Sequence, residues 1–336
     1  MTILVTGGAG YIGSHTCVEL LNAGYDVVVV DNYYNSSPKA LDRIKQITGK
    51  DLKSYDCDML NVENLERIFT ENKIDAVIHF AGYKAVGESV LEPLKYYRNN
   101  LDSTLALCEV MDKYDCRRIV FSSSATVYGI PKEPAIKEDF SLMPMSPYGR
   151  TKYMNEEILK DLYISDKRWS AVLLRYFNPV GAHESGLIGE DPKGIPNNLM
   201  PRIAKVAIGV YPELSVYGND WETKDGTCVR DYIHVTDLAK GHLKSLNKAF
   251  ATEGVSIYNL GTGVGYSVLD IINAFENVTG QKVAYKFDER RPGDIAEYYA
   301  YPQKALEELN WKAEAGIEKM CEDSWRWQKN NPDGYN

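Results

Sequence analysis

The chain has 336 residues, of which 44% are hydrophobic and 25% are charged, a composition typical of a globular protein long enough for two domains. The net charge of −9 and the lack of a long basic run argue against nucleic-acid binding. No apolar run approaches the ~18 residues of a membrane span, and no leader precedes the first strand pattern, so we expect a cytoplasmic protein without a membrane partner.

The first strand–helix unit contains a glycine-rich turn. An apolar run at the start of the chain is followed by Gly7, Gly10 and Gly13, and a helical pattern begins there. Glycines at this spacing let the backbone turn tightly and approach a pyrophosphate at the helix N-terminus. The second apolar strand ends at Asp31, whose carboxylate is suited to the adenosine ribose. The unit predicts NAD binding, because an acid at this position would repel the 2′-phosphate of NADP.

Strand and helix patterns alternate through the first half of the chain. Strands are predicted near 53–55, 75–80, 118–122 and 171–176, with helices over about 93–114 and 148–165. This repetition predicts a doubly wound, mostly parallel sheet with helices on both faces and ligands beyond the carboxyl ends of the strands. Asp58 follows one such strand and could bind the adenine amino group or cap a helix. His79 lies inside an apolar run and is predicted to be a core residue.

Three residues form a candidate catalytic group. Ser124 follows the predicted fifth strand, and Tyr148 and Lys152 lie four residues apart, which places them on one face of a helix. A lysine ammonium beside a phenol favours the phenolate, which can remove a proton from an alcohol. The sequence therefore predicts acid–base chemistry on an alcohol that meets a nucleotide cofactor.

The composition and periodicity of the sequence change after the predicted strand near residue 176. The following stretch, up to residue 230, is rich in Gly, Pro and Asn and has few periodic runs. We expect a NAD-binding Rossmann domain over residues 1–177, with a return segment near 231–262. Residues 178–336 would form mainly a smaller α/β lobe that binds the substrate.

Two arginines in this second part are candidates for binding a diphosphate. Arg230, Arg291 and Asp294 fall in turn-rich stretches, and guanidinium groups bind phosphates bidentately. Each arginine alone could instead form a surface ion pair. The six cysteines are scattered singly, without a CxxC pair, so neither a metal site nor a disulfide framework is predicted.

The motifs resemble the extended short-chain dehydrogenase/reductase family. The family marks are Gly7, Gly10, Gly13, Asp31, Ser124, Tyr148 and Lys152. Within that family the chain is similar to the UDP-glucose 4-epimerases, in residues 5–8, 11–15, 78–82, 84–89, 121–129, 174–183, 194–201 and 229–235. The resemblance implies reversible C4 epimerisation of UDP-glucose and UDP-galactose in galactose metabolism, through a 4-keto intermediate and transient hydride transfer to bound NAD. It also implies a homodimer formed by the helices around 93–113 and 150–165.

The resemblance also implies roles for individual residues. Tyr148 would be the base and later the acid, Lys152 would tune it and hold the nicotinamide ribose, and Ser124 would bind the sugar 4-hydroxyl. NAD would contact Gly7, Gly10, Tyr11, Ile12, Gly13, Asp31, Asn32, Asn35, Ser36, Asp58, Met59, Phe80, Ala81, Lys84, Asn99, Ser122, Tyr148, Lys152 and Phe177. The UDP-sugar would contact Lys84, Ser124, Tyr148, Asn178, Asn198, Leu199, Tyr217, Arg230, Tyr232, Arg291, Asp294 and Tyr298. Tyr217 stands at a uracil-contacting position where this family usually has Phe.

Three other functions remain open. A nucleotide-sugar dehydratase or decarboxylase of the same family is disfavoured, because a dehydratase usually has acids after the active-site serine and this chain has residues 125–127 as Ala-Thr-Val. A UDP-N-acetylhexosamine 4-epimerase is disfavoured by Tyr298, since a bulky residue there would narrow the pocket beside the sugar 2-position. A catalytically inactive NAD-binding protein would have no use for Ser124, Tyr148 and Lys152.

Overall fold

The computed structural model describes residues 1–291 and 293–336, and its strands form three sheets. The strands are β1 Thr2–Thr6, β2 Asp26–Asp31, β3 Lys53–Asp56, β4 Ala76–His79, β5 Arg118–Ser124, β6 Ala135–Ile136, β7 Ser170–Tyr176, β8 Asn178–Val180, β9 Leu214–Tyr217, β10 Val229–His234, β11 Gly254–Leu260, β12 Gly265–Ser267, β13 Tyr285–Asp288 and β14 Glu297–Ala300. The helices are α1 Tyr11–Asn22, α2 Lys39–Thr48, α3 Val62–Glu71, α4 Val86–Leu91, α5 Pro93–Lys113, α6 Pro147–Ser165, α7 Leu199–Ala207, α8 Val235–Ala251, α9 Val268–Thr279, α10 Gln303–Leu309 and α11 Ile317–Asn330.

The largest sheet has seven strands in the order β11-β7-β5-β4-β1-β2-β3, and every neighbouring pair is parallel. Its strands are apolar runs, such as the four valines of β2, because helices cover both faces. The strand order reverses between β1 and β4, which is the position where such folds bind ligands. The predicted doubly wound parallel sheet is confirmed.

Alternate residues of the strands pack into different cores. Ile3 and Val5 of β1 contact the core formed with α1, α2, α8 and α10, whereas Leu4 contacts the core formed with α3, α5 and α6. All three side chains are fully buried. This alternation sets the register, since a slip of one residue would move each side chain to the opposite face. The carboxyl ends of β1, β2, β4 and β5 are thereby held at one edge of the sheet.

A second sheet has the order β12-β10-β14-β6, and β8 also pairs with β10. It packs with α7, α9 and α11 around a separate core that includes Met200, Ile271, Phe275 and Met320. The third sheet consists of the parallel pair β9 and β13. Within the stretch where the sequence shows few periodic runs, α7 is an amphipathic helix whose buried residues include Met200, Ile203 and Val206.

The chain passes between the two larger sheets more than once. After β10 of the second sheet, α8 packs against α1, and β11 pairs with β7 at the edge of the seven-stranded sheet. The chain then returns to the second sheet at β12. The domain boundary at residue 177 stays a prediction. In residues 1–291 and 293–336, no helix combines the length and apolar character needed to cross a membrane.

Candidate active site

The glycine turn between β1 and α1 brings backbone atoms close together. Gly7 has a φ of 68°, and a Cβ placed on Gly13 would lie 2.3 Å from the Gly7 carbonyl oxygen, so no larger residue fits there without a shift. Helix α1 begins at Tyr11 without a side-chain cap. The first backbone N–H groups of the helix have no intrahelical acceptors and are available to an anion. The turn therefore fits the pyrophosphate of a dinucleotide.

Asp31 lies at the end of β2, directly beside this turn. Its Oδ2 accepts a hydrogen bond from the Ala9 N–H at 3.0 Å, and its Oδ1 accepts from the Tyr33 N–H at 2.9 Å and the Ser36 hydroxyl at 2.8 Å. These bonds fix a carboxylate at the edge of the sheet. An acceptor in this position suits ribose hydroxyls and repels a phosphate.

The residues that follow β2 and β3 are hydrogen-bonded to each other. The Asn32 side-chain amide donates to Asp58 Oδ2 at 2.9 Å, and Asp58 Oδ1 accepts from the Leu60 N–H at 2.9 Å. Asp58 thus stabilises the turn before α3, but the N-cap of that helix is Asn61, whose side chain accepts from the Asn64 N–H at 3.0 Å. The interpretation of Asp58 as a helix cap is therefore wrong, and its role at the adenine stays a prediction. Asn35 accepts from the Lys193 N–H at 3.0 Å, which connects this edge to the second half of the chain.

The end of β4 packs against the glycine turn. The Ala81 N–H donates to the Thr6 hydroxyl at 3.1 Å, and a Cβ on Gly7 would lie 3.0 Å from the Ala81 nitrogen. The ring of Phe80 lies 4.7 Å from that of His242, centroid to centroid. Beyond Phe80, the small residues Ala81 and Gly82 add little side-chain bulk at this strand end.

His79 is a core residue, as predicted. Its Nδ1 lies 2.7 Å from the Thr6 hydroxyl and its Nε2 lies 3.1 Å from the Thr104 hydroxyl. Burial lowers the pKa of the His79 imidazole to about 3, so the ring is neutral at physiological pH.

Several other predicted cofactor and substrate residues have side chains in the cores. Met59 packs in the core with α3 and α5, Tyr232 packs in the core of the second sheet, and Ile12 borders the core with α1 and α8. These positions leave mainly backbone atoms for a ligand. Asn99 on α5 donates its amide to Asn100 Oδ1 at 3.0 Å.

The structure brings the three predicted catalytic residues together. Ser124 is the last residue of β5, and Tyr148 lies in the first turn of α6, which Ser146 caps by accepting from the Gly149 N–H at 3.1 Å. Lys152 follows one turn later, and its Nζ lies 5.9 Å from the centroid of the Tyr148 ring. The Lys152 ammonium donates to the Ser122 carbonyl oxygen at 2.6 Å. The cap, the helix and the strand end thus fix the group.

Burial dominates the ionisation of these groups. It raises the pKa of the Tyr148 phenol to about 12, and a hydrogen bond with Ser124 lowers that pKa. Burial also lowers the pKa of the Lys152 ammonium to about 8, while the nearby Glu156 carboxylate raises it. The expected shift of Tyr148 towards the phenolate is therefore outweighed by burial in the protein alone. A positive charge bound beside the phenol would act in the opposite direction.

The predicted substrate residues of the second sheet are linked through Arg230. The guanidinium carbon of Arg230 lies 4.7 Å from the centroid of the Tyr298 ring, and Tyr298 lies 5.8 Å from the ring of Phe177. Arg230 and Tyr298 are paired in the register of β10 and β14. Arg230 Nη2 is also 3.9 Å from Asp294 Oδ1. Phe177 follows the last residue of β7. The side chains of Arg230, Tyr298 and Phe177 therefore form a row that reaches the edge of the seven-stranded sheet.

Arg291 continues this row towards β9. Its Nε lies 3.0 Å from Asp294 Oδ2, and its guanidinium carbon lies 4.6 Å from the centroid of the Tyr217 ring. Asp294 is thus shared by Arg230 and Arg291, which keeps two guanidinium groups close together with only one carboxylate between them. Such a pair is suited to a diphosphate.

Asn178 follows Phe177 and lies opposite Tyr232 in the register of β8 and β10. Its Oδ1 is buried, and no protein donor contacts it among the described residues. A buried amide oxygen without a donor is uncommon, so a ligand hydroxyl would satisfy it.

Glu190 is a residue of the site that the sequence did not reveal. Its Oε1 accepts from the Lys84 ammonium at 3.1 Å and from the Asn198 amide at 2.6 Å. Lys84 and Asn198 are predicted ligand residues from opposite halves of the chain, and Leu199 begins α7 directly after Asn198. Glu190 therefore connects the two halves of the chain where the predicted ligand residues Lys84 and Asn198 meet. Its only sequence signal is an acid in a Gly-rich stretch, which is too common to single it out.

Known proteins match this chain over its whole length. A family model described as GDP-mannose 4,6 dehydratase matches residues 4–324. The UDP-glucose 4-epimerase of Bacillus subtilis (strain 168) is 63% identical over 335 residues, covering 100% of this chain and 99% of that protein. The crystal structure of UDP-glucose 4-epimerase from Bifidobacterium longum in complex with NAD+ and UDP has a TM-score of 0.97 and 58% identity, covering 99% of this chain and 100% of that one.

A more distant structure is relevant to sugar specificity. The UDP-Glc/GlcNAc 4-epimerase of Campylobacter jejuni is 34% identical, with a TM-score of 0.85, and covers 98% of this chain and 99% of that one. Because these matches extend across both larger sheets and the ligand edge between them, the protein belongs to the UDP-glucose 4-epimerases of the extended short-chain dehydrogenase/reductase family.

Proposed function

We propose that the protein interconverts UDP-glucose and UDP-galactose by inverting the configuration at C4, with tightly held NAD. The observation that carries this proposal is the position of Ser124, Tyr148 and Lys152 together at the carboxyl end of β5, on the edge of the parallel sheet that also holds Asp31. The similar proteins from B. subtilis and B. longum are UDP-glucose 4-epimerases, and the B. longum structure contains NAD+ and UDP. Residues 1–177 would bind mainly NAD, and residues 178–336 would bind mainly the UDP-sugar.

The residues of this chain divide the chemistry between them. Tyr148 takes the proton of the sugar 4-hydroxyl, to which Ser124 donates or accepts a hydrogen bond, and later returns a proton to the same oxygen. Lys152 holds the nicotinamide ribose and supplies positive charge near the phenol. NAD, when bound, accepts hydride from C4 and returns it, so a 4-keto sugar is the intermediate.

Inversion requires the keto sugar to present its other face to the same hydride donor. Arg230 and Arg291 would hold the diphosphate during this rotation, since a bidentate contact fixes the phosphates while the bonds to the sugar turn. The Asn178 amide oxygen and Lys84 would offer hydrogen bonds to the sugar in either orientation. Net redox change is zero, so NAD is retained rather than consumed.

The decisive experiment uses the purified protein without added cofactor. We expect the absorbance of bound NAD in the purified protein, and we expect UDP-galactose to be converted to UDP-glucose on addition of substrate alone. Conversion that requires continuous addition of NAD, or formation of a dehydrated or decarboxylated product, would contradict the proposal. Protein with bound NAD but without conversion of any UDP-hexose would indicate the alternative of an NAD-binding protein.

We further propose a homodimer formed through α5 and α6, which lie side by side. The supporting observation is a set of large apolar side chains exposed on these helices, namely Leu94, Leu105, Met154 and Ile164. Large apolar side chains exposed on two neighbouring helices are the kind of surface that a protein interface would cover. Light scattering should give twice the mass of one chain, and Leu94→Glu with Ile164→Glu should shift the protein to the monomer.

The cellular location that we propose is the cytoplasm. All six cysteines are buried and unpaired in the described part of the chain, which is the pattern expected in a reducing compartment.

A further inference from the structure

A buried ionic network lies directly behind the candidate catalytic residues. Glu156 and Arg175 form a bidentate ion pair, with 2.6 Å between Glu156 Oε2 and Arg175 Nη2 and 3.0 Å between Glu156 Oε1 and Arg175 Nε. Their side chains are 0% and 1% exposed. The Ser123 hydroxyl donates to the same carboxylate. Burying two charges costs free energy unless their hydrogen bonds are satisfied, and replacing such a pair by apolar residues is often neutral or stabilising. Stability alone therefore does not account for the pair.

The ion pair lies between helix α6 and strand β5, which carry the three candidate catalytic residues. Glu156 lies one turn after Lys152 on α6, and Ser123 precedes Ser124 on β5. Arg175 lies opposite Ser123 in the register of β5 and β7. The Glu156 carboxylate therefore joins the helix that carries Tyr148 and Lys152 to the strand that ends at Ser124.

The far side of the network is also satisfied by protein groups. Arg175 Nη1 donates to the Tyr128 hydroxyl at 2.8 Å and to the Glu138 carbonyl oxygen at 3.1 Å. Tyr128 in turn donates to Asn259 Oδ1 at 2.7 Å. With each nitrogen of the guanidinium engaged, Arg175 holds Glu156 in one position, and the network extends to β11 at the edge of the sheet.

We propose that Glu156 is a positioning residue for the reaction: it fixes Tyr148 and Lys152 relative to Ser124 and places a carboxylate behind the Lys152 ammonium. This inference rests on the proposed function.

The electrostatic part of the role follows from the surroundings of Lys152. Burial lowers the pKa of the Lys152 ammonium, and the Glu156 carboxylate opposes that effect. Other titratable groups near Lys152 are Tyr148 on the same helix and His79 on β4, and burial favours the neutral form of both in the protein without its cofactor. From β5, Lys152 meets the Ser122 carbonyl oxygen, and from β7, Arg175 lies beyond Glu156. Glu156 is thus the acid that supports the charge of Lys152.

The test compares Glu156→Gln with Glu157→Gln in the cofactor-loaded protein. Glu157 is the next residue of α6 but is half exposed and pairs with Lys160 on the surface, so its variant is a matched control. For Glu156→Gln we expect turnover to fall by up to about 100-fold, because small displacements of catalytic groups have effects of that size. We also expect the alkaline limb of the pH–turnover profile to move to lower pH, by about one unit. Glu157→Gln should change neither quantity.

A loss of structure alone would lower turnover at every pH without moving the limb. Because Glu156→Gln leaves the Arg175 guanidinium unpaired in the interior, the double variant Glu156→Gln with Arg175→Met is measured as well. It removes both charges, and because Arg175 lies beyond Glu156 as seen from Lys152, the limb should still move to lower pH, but by less than in Glu156→Gln. An unchanged pH profile in either folded variant would overturn the proposal.

A spectroscopic titration separates this inference from the proposed function. The tyrosinate absorbance of Tyr148 is obtained as the difference between the wild type and Tyr148→Phe, with no need for turnover. The titration is made on cofactor-loaded protein, where the positive charge bound beside the phenol lowers the pKa of Tyr148 towards the range in which Lys152 is still charged. In Glu156→Gln this signal should then appear at higher pH, because Lys152 loses its charge earlier and supports the phenolate less. A wild type that does not convert UDP-galactose would refute the proposed function. A tyrosinate signal that does not move would refute the role of Glu156.

Discussion

The guanidinium of Arg291 is stacked on the ring of Tyr217, with 4.6 Å between the guanidinium carbon and the ring centroid. Arg291 is also held by Asp294, whose Oδ2 lies 3.0 Å from the Arg291 Nε. The Tyr217 hydroxyl takes no part in these contacts. The ring is therefore held by its face, and its position does not depend on the oxygen that distinguishes Tyr217 from the Phe usual in this family.

We expect Tyr217→Phe to leave the KM for UDP-glucose within about twofold, because the cation–π contact is kept. Tyr217→Ala should raise KM by about tenfold, since the contact with Arg291 is lost together with the stacking surface that we propose for the base. Steady-state kinetics with UDP-glucose provide the measurement. A large effect of Tyr217→Phe would mean that the hydroxyl binds the substrate directly.

Tyr148→Phe should lower kcat by ~10²–10⁴-fold, the range for loss of a general acid–base group. The ring and its packing are kept, so NAD should remain bound and visible in the absorbance of the purified variant. Turnover is measured with UDP-galactose at saturating concentration. If more than about a tenth of the wild-type rate survives, Tyr148 is not the base.

Turnover should decline as the pH rises through about 8, because burial lowers the pKa of the Lys152 ammonium to that value. Below this pH Lys152 is charged and supports the phenolate, and above it the support is lost. The free energy of unfolding has the opposite pH dependence. Above pH 8 the lysine is protonated in the unfolded chain and neutral in the folded protein, so its contribution to the free energy of unfolding rises with pH there. Lys152→Met should remove the limb from a pH–turnover profile measured on folded protein.

NAD should bind more tightly than NADP, because the 2′-phosphate would face the Asp31 carboxylate. That carboxylate is held in place by the Ala9 N–H, the Tyr33 N–H and the Ser36 hydroxyl. Calorimetry on cofactor-stripped protein measures both affinities. Asp31→Asn should reduce the difference between the two cofactors, and equal affinities in the wild type would contradict the role of Asp31.

UDP-glucose should be a good substrate and UDP-N-acetylglucosamine a poor one. The Tyr298 ring is held between Arg230 and Phe177, so it has little freedom to move aside for an acetamido group. Tyr298→Cys should therefore gain activity towards UDP-N-acetylglucosamine. Both substrates are assayed with both proteins. If the wild type turns over the N-acetylated sugar as fast as UDP-glucose, Tyr298 does not exclude it.

The parts of the site that could be predicted from the sequence depend on local spacing. Gly7 follows an apolar strand, and Asp31 and Ser124 end two others. Tyr148 and Lys152 share a helix face, so the strand ends and one helical turn identify these residues. The same local rules predicted the parallel sheet.

What could not be predicted depends on contacts between distant residues and on burial. Glu190 meets Lys84 across 106 positions of the chain and lies in an irregular stretch, so no periodic pattern marks it. In the sequence Glu156 is one of several acids on a predicted helix, and its burial against Arg175 depends on the tertiary structure. The pKa of Tyr148 was expected to reflect Lys152, but desolvation by burial is the larger cause, and burial depends on the packing of the whole chain.

Because the chain crosses between the two larger sheets more than once, a truncated protein would lose part of the core of its remaining sheet. A fragment ending at residue 177 would lack α8, which packs against α1, and β11, which completes the hydrogen bonds of β7. Its sheet would end in an unpaired strand next to an uncovered apolar face, and such an edge promotes aggregation. A cut at residue 177 therefore separates strands and helices that share one core. We expect denaturation to be one cooperative transition, in which the proposed binding regions for the cofactor and for the nucleotide sugar are lost together.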